Sequence, residues 1–67
     1  MEQYYVTKKK YDWIVRHNGE ELILVEERDD AVAEARRLAQ AAVAKGGEAE
    51  ILVANVVGMW DRVPIEG

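Results

Sequence analysis

Apolar and polar positions along the chain alternate at two different periods, near two residues at both ends and near 3.6 in the middle. Tyr4 to Thr7, Tyr11 to Arg16 and Glu21 to Glu26 are short runs rich in β-branched and aromatic residues, and each reads as a strand. Lys8-Lys9-Lys10 separates the first two as a solvated turn. His17-Asn18-Gly19-Glu20 separates the second and third. Asn-Gly tolerates the positive φ angles of a type I′ turn, whose twist matches two antiparallel strands. From Arg28 to Lys45 the period changes. Ala31, Val32, Ala35, Leu38, Ala39, Ala42 and Val43 fall on one stripe of a helix, with Glu34, Arg36, Arg37, Gln40 and Lys45 off it. Asp29 and Asp30 favour the positive end of the helix dipole, and Gly46-Gly47 supplies the stop. Ala49 to Val56 is a further strand ended by Gly58. Met59 to Val63 reads as a short last strand, stopped by Pro64, which cannot donate to a ladder.

The fold class implied is α+β, β-β-β-α-β with a possible fifth strand: a mostly antiparallel sheet with one helix packed on one face, in a single domain over residues 1–67. The fourth strand runs parallel to the first and third, and a right-handed crossover leaves its neighbour open. An uninterrupted Asn18-Gly19 hairpin sets Arg16 opposite Glu21, Val15 opposite Leu22, Ile14 opposite Ile23 and Trp13 opposite Leu24. Opposed residues share a face. Trp13, Val15, Leu22 and Leu24, joined by Tyr4, Val6 and Tyr11, are then expected under the helix. Ile14, Ile23 and Val25, joined by Tyr5 and Leu52, are expected on the other face, beside Asp12 and the Arg16/Glu21 pair.

That second face changes the functional picture. One helix covers one side of a sheet, and a solvated side should read polar. Five large apolar side chains left bare would expose roughly 400 Å², the level that marks an interaction surface. Their burial at about 25 cal/mol per Å² is worth on the order of 10 kcal/mol before ordering costs. Two readings compete with association: Met59 to Ile65 folding back over the face, or scattered surface exposure of the ordinary kind. A 67-residue chain buries roughly 60% of its unfolded surface, so its stability is marginal and extra support is expected. With no cysteine and one histidine, neither a disulfide nor a thiolate metal site supplies it, which leaves a partner chain.

Charge and composition narrow the classes further. The net charge is −4 and the pI about 4.9, so no global pull on nucleic acid or anionic lipid is expected. No apolar run reaches the ~20 residues of a membrane span, and Met1-Glu2-Gln3-Tyr4-Tyr5 lacks the pattern of a signal peptide. A cytoplasmic location is the expectation.

The opening Tyr5-Val6 pair and the Trp13-Ile14-Val15-Arg16 strand have a familiar arrangement. So do Asp30-Ala31 followed by Ala35-Arg36-Arg37-Leu38-Ala39, and Glu50-Ile51-Leu52-Val53 after the glycines. On these motifs, from Tyr4 to Gly58, the chain resembles the small bacterial domain-of-unknown-function family 2188. The family usually shows threonine at the helix N-cap, where Glu27 stands here. It has a polar turn after the fourth strand, where Val56-Val57-Gly58 stands here. The resemblance implies a fold and no catalytic residues, since the family carries no assigned activity.

Candidate chemistry is sparse. His17 beside a two-residue turn is expected to be exposed, with neither pocket nor partner for a catalytic base. Glu26, Glu27, Asp29 and Asp30 cluster at the helix start, but the helix dipole accounts for the two aspartates, and no Asp-x-Asp-x-Asp-Gly loop is present. Gly46-Gly47 follows a helix, whereas phosphate loops precede one. Lys8-Lys9-Lys10 near Tyr4, Tyr5, Tyr11 and Trp13 is a weak nucleic-acid signal, with a solvated hairpin tip as the plainer reading. No catalytic residue, cofactor site or metal ligand is assigned, and an enzyme is not expected. The expected function is a non-catalytic interaction module, a homodimer through Tyr5, Ile14, Ile23, Val25 and Leu52 with Trp60 at the rim. Another protein partner, or weak nucleic-acid binding through Lys8 to Lys10, is the alternative.

Overall fold

The computed structural model describes residues 1–66. Its elements run β1 (Glu2–Lys9), β2 (Asp12–His17), β3 (Glu20–Val25), α1 (Arg28–Ala44), β4 (Ala49–Ala54) and β5 (Trp60–Val63). The sheet order is β3-β2-β1-β4-β5, with one parallel pair, β1 against β4, and antiparallel neighbours elsewhere. The fold is therefore α+β, with α1 on one face. The parallel pairing follows from the topology. After three meandering strands, α1 carries the chain back so that β4 runs parallel to β1 and β3, and of the two it is β1 that it pairs with.

Local signals account for most boundaries. Asn18 and Gly19 take φ of 52° and 80°, the double positive φ of a type I′ turn. α1 ends where Gly46 takes φ of 90°. There the Gly47 N–H reaches back to the Ala42 carbonyl at 3.1 Å and the Gly46 N–H to Val43 at 2.9 Å, satisfying carbonyls left open by the last turn. Between β1 and β2 the turn is narrower than the three lysines. Lys8 and Lys9 belong to β1, and Lys10 and Tyr11 make the turn, with Lys10 at φ of 57°. Tyr11 is consequently exposed and takes no part in the core.

The core lies between α1 and the sheet. Val6, Val15, Ile51 and Val53 are its largest fully buried side chains, packed against Ala31, Ala35 and Ala39. An alanine stripe brings the helix close to the sheet, so the sheet side supplies most of the apolar volume. Val43, on the predicted stripe, is exposed in the last turn of the helix.

The expected β2–β3 register holds for one pair beyond the turn and then slips. Arg16 faces Glu21, but Val15 faces Ile23, Ile14 faces Leu24 and Trp13 faces Val25, because a bulge leaves Leu22 without a partner. One extra residue exchanges the faces of everything that follows it. Ile23 and Val25, expected on the outer face, thus lie on the helix side and pack against the core. Leu24, expected under the helix, points the other way and is 61% exposed, and Leu22 is 43% exposed.

The C-terminal segment settles a further alternative. Residues Trp60–Val63 form β5, which pairs with β4, and the chain then turns toward the helix instead of over the outer face. Arg36 Nε donates to the Pro64 carbonyl at 3.2 Å and Gln40 Nε2 to the Ile65 carbonyl at 3.0 Å, while Val63 and Ile65 pack on the core.

Candidate interaction surface

Register places Gln3, Tyr5, Thr7 and Lys9 of β1 on the sheet face away from α1, with Asp12, Ile14 and Arg16 of β2. Glu21 and Leu24 of β3, Glu50, Leu52 and Ala54 of β4, and Trp60 and Arg62 of β5 complete it. Of the six residues expected at an interface, Tyr5, Ile14, Leu52 and Trp60 share this face, and Ile23 and Val25 do not.

The face shelters part of its own apolar surface. Lys9 Nζ bonds both carboxylate oxygens of Glu21 at 3.0 Å, and Arg16 meets the same carboxylate at 3.3 Å. Lys9 lies on β1 two residues past Thr7, the partner of Ile14. Glu21 lies on β3 opposite Arg16, two residues the other way along β2. The ion pair therefore runs diagonally across Ile14, which is 3% exposed without any helix above it. At the other side of the face Trp60 reaches across β4 to meet Tyr5 edge-on, ring centroids 5.1 Å apart. Tyr5 donates to Gln3 at 3.1 Å, Gln3 bonds Glu50, and Arg62 Nε lies 3.4 Å from Glu50. What stays open is Trp60, 48% exposed, and Leu22 and Leu24 at the β3 edge.

Glu21 is the electrostatic hinge of this arrangement. Hydrogen bonds from Lys9 hold its carboxyl below the ordinary glutamate value, helped by Arg16 and by both positive charges, with desolvation opposing. A folded-state value below the unfolded one means the pair supports the fold at neutral pH and loses that support as pH falls through the folded value. Carboxyl NMR should find Glu21 titrating below the exposed glutamates, and Lys9→Gln should return it toward them. Amide exchange around Ile14 should quicken in the same acid range.

His17 departs from expectation. As the last residue of β2 it lies on the helix side, its ring stacked 4.6 Å from Tyr4 and Nε2 2.8 Å from Glu2 Oε1. The sequence contains no serine or cysteine, and its single threonine, Thr7, faces the opposite side. Burial, seconded by the Glu2 charge, raises the Tyr4 phenol pKa, so Tyr4 stays protonated. Among the described residues no three histidine or acidic side chains gather in a metal-binding arrangement. Lys8 lies toward the helix side over the Trp13 ring, Lys9 is bound to Glu21 on the other face, and Lys10 is in the turn. The three charges diverge. No helix is long and apolar enough to cross a membrane.

One feature escaped sequence reasoning. The β4–β5 connection exposes Val56, Val57 and Met59 together on an ordered turn. The Asn55 side-chain oxygen accepts from the Val57 and Met59 N–H groups at 3.1 and 3.0 Å, and its amide donates to Asp61 at 3.1 Å. Asn55 followed three residues later by Gly58, at φ of 81°, was the available signal.

No family model, curated protein or solved structure matches the chain.

Proposed function

We propose that this protein is a small, non-catalytic, cytoplasmic interaction module that pairs with a second copy of itself through the sheet face opposite α1. The observation that carries the reading is that α1 and the C-terminal segment both lie on one side of the sheet. The other side keeps Trp60 and Leu24 at its surface, with Tyr5 half-buried beside Trp60 and the bulged Leu22 exposed at the β3 edge. A second copy is favoured by charge. The chain as a whole carries −4, yet this face balances Lys9, Arg16 and Arg62 against Asp12, Glu21 and Glu50. A twofold apposition of such a face brings no net repulsion and lets each cation meet an anion of the partner. A stable pair needs about 800 Å² from each chain, roughly a sixth of the 4677 Å² that the chain exposes. Membership of the domain-of-unknown-function family 2188 belongs to the same proposal. It rests on the strand and helix motifs quoted above and adds no activity.

Sedimentation equilibrium is the direct test. The protein should sediment at twice its 7.6 kDa chain mass at high micromolar concentration, and the Trp60→Asp/Leu24→Asp variant at the single mass with its circular dichroism retained. A wild-type chain that stays single at that concentration overturns the proposal, as does a double variant that pairs as tightly as the parent.

A further inference from the structure

At the end of the sheet where β1 and β4 finish side by side, Thr7, Lys8, Trp13, Arg28, Ala54, Asn55 and Val56 line a cleft of about 550 Å³. That volume lies within the ~300–1,000 Å³ of small-molecule sites. Its walls come from five places in the chain: the end of β1, the start of β2, the first residue of α1, the end of β4 and the β4–β5 turn. Trp13, Ala54 and Val56 supply apolar surface. Lys8 and Arg28 supply two positive charges from different elements. Lys8 Nζ stands 5.9 Å from the Trp13 ring centroid, so cation and aromatic wall adjoin. Arg28 meets Asp29 at 3.6 Å, but Asp29 is almost fully exposed, and a solvated pair of that length yields readily to a better anion. Glu27, ahead of Arg28, gives α1 no side-chain cap. Asp29 and Asp30 in the first turn meet the positive end of the helix dipole, so Lys8 and Arg28 are the cations the cleft itself offers. The Asn55 side chain accepts from the Val57 and Met59 N–H groups and so shapes the turn that carries the fully exposed Val56.

An apolar wall beside convergent positive charge selects an anion with an apolar body. We propose that this cleft binds an amphipathic carboxylate, its chain or ring against Trp13 and Val56 and its carboxylate between Lys8 and Arg28. The same chemistry is offered by a free medium-chain or aryl acid and by the C-terminus of a peptide ending in an apolar residue. The inference is distinguishable from self-association, because Lys8, Trp13 and Arg28 lie on the helix side of the sheet and only Thr7 and Ala54 of the lining belong to the face proposed to pair.

The Trp60→Phe variant leaves Trp13 as the single indole, and its fluorescence and indole N–H resonance report the cleft alone. Octanoate, octanol and an acetylated tripeptide ending in a leucine carboxylate are the probes. Octanoate is expected to saturate the Trp13 signal, with octanol at least about tenfold weaker. Lys8→Glu/Arg28→Glu is expected to weaken octanoate by about tenfold or more, the scale of one lost charge-assisted contact, at unchanged circular dichroism. Tighter binding of the tripeptide than of octanoate assigns the peptide source, and the reverse assigns the free acid. Equal binding of octanol and octanoate, an undiminished response in the doubly reversed variant, or no saturable Trp13 response to either carboxylate overturns the proposal.

Discussion

Ile51→Ala should leave the chain largely unfolded at physiological temperature. Ile51 is fully buried in the middle of β4, between Tyr4 on β1 and Val63 on β5, with α1 above it. Removing a buried isoleucine side chain to alanine costs about 2–5 kcal/mol, and the figure rises with the cavity that survives relaxation. Here relaxation has little to work with. The helix meets the sheet through Ala31, Ala35 and Ala39, side chains with no rotamer that could swing into a void. The cost therefore belongs in the upper half of that range. A domain of this length holds roughly 3–10 kcal/mol in all. At about 4–8 °C per kcal/mol, the midpoint of thermal unfolding should fall by more than about 12 °C. Circular dichroism melting and urea titration measure both quantities. Leu24→Ala, on the exposed edge, is the control, and its chain alone should stay within about 1 kcal/mol of the parent.

The second large effect separates two neighbouring residues. Ile23→Asp places a carboxylate on the helix side of the sheet, packed against the apolar core, at a cost of about 3 kcal/mol or more through desolvation. Leu24→Asp changes a residue that is already mostly in water, and the fold of the single chain should tolerate it. Urea unfolding of both variants decides the matter. The contrast depends wholly on the Leu22 bulge. Under an uninterrupted ladder the two residues would exchange roles, and Leu24→Asp would be the damaging change.

The β2–β3 hairpin shows what a sequence of this kind reveals and what it withholds. Asn18-Gly19 announces its turn unambiguously, because few other dipeptides accept positive φ twice running. Beyond the turn, Leu22-Ile23-Leu24-Val25 is apolar at every position. Period-two alternation is the signal that fixes which residues face the core, and this run contains none of it. The bulge is set instead by what packs: Ile23 and Val25 fill the space beside Val15 and Trp13 under the helix. The pairing of β4 with β1 is likewise a tertiary outcome that local propensity does not encode. The helix was more legible, since its alanine stripe and glycine stop depend on residues close in sequence.

The candidate surface was legible in outline and not in detail. Two apolar faces and one helix follow from the strand patterns, and Tyr5, Ile14 and Leu52 are expected on the outer face with Trp60 at its rim, whereas the pairing that joins them comes only with the assembled sheet. The shelter over Ile14 cannot, because Lys9 and Glu21 are joined only after β1, β2 and β3 have assembled. His17 sits in the sequence beside a turn, yet strand pairing carries it against Tyr4. Val56-Val57-Gly58-Met59 reads as an apolar run, and the hydrogen bonds of one asparagine side chain make it a turn.

The strand order has a consequence for how the chain assembles. β1 leaves the ribosome before the other strands yet occupies the middle of the sheet, and its partner on one flank, β4, follows more than forty residues later. During synthesis the first three strands can meander together early, leaving the backbone donors and acceptors along one side of β1 unpaired. That side is an open template for any passing strand until Ala49–Ala54 emerges. The late, sequence-distant closure onto β1 is the step expected to limit the folding rate, so substitutions that slow docking of α1 should raise aggregation of nascent chains before they lower the stability of finished ones.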